Sequence, residues 1–247
     1  MKMLSLFLTQ ALLAMWAAEA ASAEIVRSVP SSQRVQIKTD DISIVVQTGT
    51  RANIEIRYIA PVDVDPEGSL NVREHRSQLR IQANKRSSSW FERGGDRDEE
   101  AQLLILLPPQ GVKSLELVSK TGTIQAQDLP SSIQSLEIDT VTSVAEVRTK
   151  SSRVDYRSVT GKAAIELMGK AQRLKASDVN GRLSVTHRFE SPGIDISTRG
   201  QISMAGVDSP RRQRNGLRVF HQEGSDESAL IEYSSVAGSI LLQPGLQ

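Results

Sequence analysis

LELVSKTGTIQA (115–126) is followed by LEIDTVTSVAEV (136–147), VDYRSVTGKAAI (154–165), LKASDVNGRLSV (174–185), IDISTRGQISM (194–204) and, after a gap, IEYSSVAGSILL (231–242). Each reads apolar, polar, apolar, polar, then a few Ser, Thr, Asp or Asn positions, a Gly or Ser, and a second alternating run. The markers Gly122, Ser143, Gly161, Gly181 and Gly200 recur about every 20 residues, and Gly238 falls about two intervals later, the spacing of a stacked repeat. Alternation with period two is strand text, placing apolar residues on one face and polar residues on the other. Two architectures share this text: a parallel β-helix-like solenoid with one repeat per coil, or a meander with a hairpin at every marker. The period favours the all-β solenoid, because meander turns come roughly every 8 to 12 residues. Gly at each corner is expected to supply a left-handed backbone conformation. Ser143 departs from the corner Gly, so its coil is expected to be distorted.

Working outward, residues 24–110 are β-rich but less regular. VQIKT (35–39), ISIVVQT (42–48), NIEIRYIA (53–60), LNVREH (70–75) and LRIQA (79–83) alternate or run apolar with β-branched residues. The short gaps 48–52 and 76–78 suggest antiparallel hairpins, making this portion a small sheet that starts or caps the stack. LLILLPP (103–109) reads as a strand buried on both faces, ended by a Pro pair. Residues 111–247 form the repeat region, one continuous domain with the portion before it.

Residues 1–23 read as a signal peptide. Lys2 is the positive end, residues 3–16 are mostly apolar, and Ala21-Ser22-Ala23 has the small-x-small form of a cleavage site before Glu24. The chain is therefore expected to be exported to the periplasm or cell surface, with no membrane span left after cleavage. It contains no cysteine, so neither a lipid anchor at a processing-site Cys nor disulfides are available. Stability must come from burial and backbone pairing, for which about 220 residues suffice. The net charge is +1 and aromatics make up 4% of residues, which argues against nucleic-acid binding through a basic surface or base stacking.

The candidate site residues are those that break or decorate the rhythm. The polar, Gly-rich loop 84–102 carries the pair Trp90-Phe91, a candidate recognition tip whose bland alternative is folding back onto a strand edge. PRRQRNG (210–216) interrupts the repeat, either as a solvated loop or as a site offering Arg211, Arg212 and Arg214 to anionic lipid, lipopolysaccharide or acidic glycan. In register, Glu116, Glu137, Asp155, Asp195 and Glu232 would form an outward carboxylate ladder broken by Lys175, either a cation-binding face or a solvated surface offset by Lys120, Lys162 and Arg182. His75, His187 and His221 are scattered without metal-ligand spacing, and no nucleophile elbow or phosphate loop is present. No catalytic residue, metal or cofactor is expected. Asp139 with Arg157, or Asp178 with Arg199, are the pairs a polysaccharide lyase or glycosidase on this scaffold would use.

The order of an apolar strand, a Pro pair and then repeated Φ-x-Φ-x-[ST]-x-[TN]-G-x-Φ-x-Φ resembles the bacterial putative-adhesin family of exported β-strand-repeat proteins, a domain of unknown function. LLILLPPQGVKSLELVSKTGTI (103–124) is the closest part, and the likeness spans residues 42–242. It implies a β-helix-like fold and an envelope role, and brings no catalytic residues with it. The expected function is a non-enzymatic, adhesin-like or cell-envelope binding or structural module with a glycan, an envelope protein or a surface protein as partner; the alternative is a carbohydrate-active enzyme on a β-helix scaffold.

Overall fold

The computed structural model describes residues 22–61, 66–84, 101–169, 172–205 and 216–245. The amino-terminal portion supplies β1 (Ser22–Val29), β2 (Arg34–Thr39), β3 (Ser43–Thr48), β4 (Ile54–Pro61), a helical turn α1 (Pro66–Ser69), β5 (Leu70–His75), β6 (Gln78–Ala83) and β7 (Gln102–Leu107). The uninterrupted repeats give β8 (Ser114–Ser119), β9 (Thr123–Ala126), β10 (Ser135–Thr140), β11 (Val144–Thr149), β12 (Arg153–Arg157), β13 (Lys162–Leu167), β14 (Arg173–Asp178), β15 (Arg182–His187), β16 (Pro192–Thr198) and β17 (Ile202–Met204). The tail adds β18 (Arg218–Gln222), β19 (Asp226–Ser235) and β20 (Ser239–Pro244).

These strands build two large mixed sheets. Sheet I is 10-stranded in the order β1-β4-β7-β3-β9-β11-β13-β15-β20-β17, and sheet II is 10-stranded in the order β18-β16-β19-β14-β12-β10-β8-β2-β6-β5. From β8 to β17 successive strands alternate between the sheets, and each pairs in parallel with the equivalent strand of the next repeat wherever the two are adjacent. That parallel pairing excludes the meander. Register places identical grammar on identical levels: Leu115 lies beside Leu136 and Leu136 beside Val154, so the inward positions stack. Leu115, Leu117, Leu136, Ile138, Val154, Ile124 and Ala126 are fully buried and belong to one core shared by both sheets. Each Leu, Ile or Val among them contributes roughly 1.5–3 kcal/mol relative to exposure.

The amino-terminal portion is not a separate small sheet. β2 and β3 pair in parallel with β8 and β9 on one side and with β6 and β7 on the other, so they are interior members of both sheets. At that end β1, β4 and β5 pair exclusively antiparallel, and β6 and β7 each have one antiparallel and one parallel neighbour. The 76–78 gap does close a hairpin between β5 and β6. The 48–52 gap does not, because β7 lies between β3 and β4. Nor is β7 buried on both faces: Leu103, Ile105 and Leu107 are buried while Leu104 and Leu106 are half-exposed. In the tail β19 and β20 are likewise interior, lying between β14/β15 and β16/β17, while β18 pairs antiparallel with β16 at the margin of sheet II.

The corners correct one further expectation. Of the repeat markers only Gly122 has positive φ, at 95°. The others are Gly for space: a Cβ on Gly161 would stand 2.6 Å from the Ser143 carbonyl oxygen, and one on Gly181 2.9 Å from that of Gly161. Three corners are tied by a side chain three residues back, as Ser158 Oγ accepts from Gly161 N–H at 2.8 Å, Asp178 Oδ1 from Gly181 N–H at 3.0 Å and Ser235 Oγ from Gly238 N–H at 2.7 Å, while Gly200 N–H donates to Thr198 Oγ1 two residues back. Ser143 fits the same stack without distortion. It is buried, its Oγ donates to the Ser119 carbonyl, and its own carbonyl accepts from Lys162 N–H at 3.2 Å.

Candidate functional site: two sheet faces and a corner

The outer face of sheet II carries the carboxylate ladder, in an order set by the inserted tail. Pairing runs Gln36, Glu116, Glu137, Asp155, Lys175, Glu232, Asp195 and His221, so Glu232 precedes Asp195. Like charges about 5 Å apart repel unless something intervenes, and here arginines from the flanking rows do. Arg157 bridges Glu137 at 2.9 Å and Asp139 at 3.5 Å. Arg153 Nε donates to Asp155 at 2.6 Å, Arg173 reaches Glu232 at 2.9 Å, and Gln36 Nε2 donates to Glu116 at 2.7 Å. The counter-charges are therefore Arg153, Arg157 and Arg173, and of the three expected bases Lys120 instead pairs with Asp40 at 2.9 Å. Asp195 is exposed.

Asp139 and Arg157, a pair singled out in the sequence, do meet. Burial pushes the Asp139 carboxyl above the usual aspartate range, Arg157 pulls it down, and the Glu116 and Asp155 charges push it up. Asp178 and Arg199 do not form the other pair. Asp178 is buried at the corner, where it accepts hydrogen bonds from Tyr233 OH at 2.7 Å and from Ser235 Oγ and Gly181 N–H. Burial and the Asp178 carboxylate together push the Tyr233 phenol well above its usual value. This group ties β14 to β19.

The outer face of sheet I differs. Side-by-side pairing gives one row Val144, Lys162, Arg182, Ser239 and the next row Glu146, Ala164, Ser184, Leu241. Ala164 and Ser184 are short, so the second row sinks between longer neighbours. The result is a groove of about 440 Å³ that continues to Ser203 of β17. Val144 (42% exposed) and Leu241 (37%) present apolar surface to it. Lys162 and Arg182 stand next to each other on its rim, and neither side chain has a hydrogen-bond or ion-pair partner among the described residues. No reading of the sequence singled out this groove. The available signal was the repeated Gly-basic-x-small text of GKAA and GRLS, which puts a cation and a small residue at equivalent positions of adjacent strands.

Trp90, Phe91, Arg211, Arg212 and Arg214 lie outside the described residues, as does most of the expected signal peptide; β1 begins at Ser22, two positions before Glu24. Among the described residues, no group of three or more His, Asp or Glu side chains is placed to hold a metal ion, and no helix is long and apolar enough to cross a membrane.

No family model and no curated protein matches the chain. Solved structures do. A putative cell adhesion protein from Clostridium sporogenes ATCC 15579 aligns with TM-score 0.53 at 9% identity, covering 91% of this chain and 100% of its own. A putative adhesin from Bacteroides fragilis NCTC 9343 aligns with TM-score 0.36 at 10% identity over 91% of this chain and 98% of its own. A putative lipid binding protein from Parabacteroides distasonis ATCC 8503 gives 0.37 at 9%, with the same coverages. The chain thus shares its fold with a bacterial protein named as a putative cell adhesion protein, and the adhesin resemblance read from the repeats holds at the level of fold.

Proposed function

We propose that this chain is an exported, non-enzymatic, adhesin-like binding module of the cell envelope. Its strands, alternating between two sheets, make a flattened β-helix-like solenoid that serves as a rigid frame. The observation that carries the reading is the contrast between the two broad faces. On sheet II, Glu137, Asp155 and Glu232 of the carboxylate ladder are each met by an arginine, Arg157, Arg153 and Arg173. Sheet I leaves two adjacent cations beside an apolar-lined groove, an arrangement with binding capacity to spare. The shared fold with a protein named for cell adhesion supports the same reading.

The test is to immobilise residues 24–247 and probe them with a glycan array, envelope extract and anionic amphiphiles, alongside a lyase and hydrolase screen. Saturable binding without turnover is expected. Turnover of a polysaccharide that disappears in Asp139→Asn would overturn the module in favour of an enzyme working from sheet II, where the Asp139 carboxyl is held above its usual range beside Arg157.

A further inference from the structure

We infer that the sheet I groove binds a single-chain anionic amphiphile, with its carboxylate or phosphate head between Lys162 and Arg182 and its acyl chain lying across Ser184 toward Leu241 and Ser203. The inference rests on the binding-module reading and names its ligand class.

The head-group position follows from charge. Lys162 and Arg182 are register partners on adjacent parallel strands, so their side chains start about 5 Å apart with nothing of opposite sign between them. On the other face Glu137, Asp155 and Glu232 are each met by an arginine; here no carboxylate among the described residues pairs with either cation. An anion seated between the two would relieve their repulsion and accept charge-assisted hydrogen bonds from both. The direction of the tail follows from the neighbours. Glu146 lies beside Ala164 at one end of the sunken row, a carboxylate that turns an anionic head away from that end. At the other end stand Leu241 and Ser203, apolar and small, with no charge on the row.

The nature of the tail follows from the lining. Among the described residues no aromatic side chain lines the groove to give a sugar ring a flat surface to stack on, while methyl, methylene and Cβ groups of Val144, Ala164, Ser184 and Leu241 suit an alkyl chain. About 440 Å³ falls in the range of small-molecule sites. The flanks Ser239 and Gln201 are polar, so the face offers a slot for one chain rather than an apolar area to lie on a bilayer.

The test uses residues 24–247 and dodecanoate below its micelle concentration, titrated by calorimetry or followed by backbone amide shifts. One equivalent is expected to bind, with shifts confined to β11, β13, β15, β20 and β17. Lys162→Ala with Arg182→Ala is expected to weaken binding at least about tenfold, as is dodecanol in place of dodecanoate. Ala164→Leu, which fills the floor from the solvent side, is expected to block the tail while leaving the circular dichroism spectrum unchanged. Dodecyl phosphate binding like dodecanoate would extend the head group to phosphates, and inorganic phosphate alone is expected not to bind measurably. Unsaturable uptake, or one-site binding indifferent to both the double substitution and Ala164→Leu, would overturn the inference. If dodecanoate fails while glycan or envelope binding persists, the amphiphile is refuted and the module stands; if nothing binds, both fall.

Discussion

At the corners of this protein a single hydrogen atom does the packing. A Cβ on Gly200 would overlap the Gly238 carbonyl of the neighbouring corner, a backbone group that cannot swing aside. Gly122 is constrained differently: its φ of 95° is costly for any residue with a side chain, and the Ile42 carbonyl oxygen is 3.1 Å from where a Cβ would sit. Overpacking costs about 1–3 kcal/mol and left-handed backbone about 1–3. Because Gly200 has a rigid obstacle at closer range, Gly200→Ala is expected to lose about 3 kcal/mol in urea unfolding and Gly122→Ala less than that. Equal midpoints for the two variants would contradict the close-approach account. The carboxylates divide in the same way. Asp178→Ala removes from a buried corner the carboxylate that accepts from Tyr233 OH, Ser235 Oγ and Gly181 N–H, and is expected to cost about 3 kcal/mol. Asp195→Ala, on the exposed ladder, should stay within about 0.5 kcal/mol of the parent. Both aspartates sit in the same repeat grammar, and only the corner's three donors distinguish them.

At the scale of the element, β15 ends in a buried titratable group. His187 packs inward beside Leu167 of β13 and Pro244 of β20, with its ring stacked on Phe189 at 5.3 Å between centroids. Burial lowers its pKa below the ordinary histidine value, partly opposed by a hydrogen bond with the Phe189 backbone. The unfolded chain therefore binds a proton more readily than the folded one. Its contribution to stability is full above about pH 6.5 and is lost as the pH falls from there toward the folded value. Urea midpoints measured from pH 8 to pH 5 should fall more steeply for the parent than for His187→Leu; parallel curves would mean the imidazole titrates normally. Alternation in the sequence identified nearly every strand, because an inward-outward period of two is a local property. Pairing was less legible. β3 and β4 are separated by β7, which arrives in the chain over 40 residues later, and no short-range signal announces that. The carboxylate ladder could be read from spacing alone, but its order depended on where β19 lands. The sheet I groove could not be read, since Ala164 and Ser184 signal nothing until strands on either side supply taller neighbours.

For the whole molecule, the decisive feature is that neither end of the chain lies wholly at an end of the stack. β2 and β3 are bracketed by strands made later, and β19 and β20 fill a position between repeats made earlier. The sixth repeat has the same text as the others, so sequence order alone puts it last; the structure puts it between the fourth and fifth. Its strands bury Ala229, Ile231, Tyr233, Ile240 and Leu242 and pair with β14 and β16 in one sheet and β15 and β17 in the other. Losing a buried Leu or Ile side chain costs roughly 2–5 kcal/mol, against a total stability of about 5–15 for a typical protein. A chain ended after Gly224 would leave four strands without their partners on one side, and the fifth repeat would lose its parallel neighbours in both sheets. That truncation is expected to abolish the cooperative urea transition of the carboxy-terminal repeats. Removal of residues 24–29 is the matched control, because β1 pairs only with β4 at the margin of sheet I. It should shift the midpoint modestly and keep the transition intact. A chain lacking residues 225–247 that unfolds like the parent, by circular dichroism and by tryptophan-independent amide exchange alike, would show that the inserted repeat is dispensable and that β14 and β16 can close on each other directly.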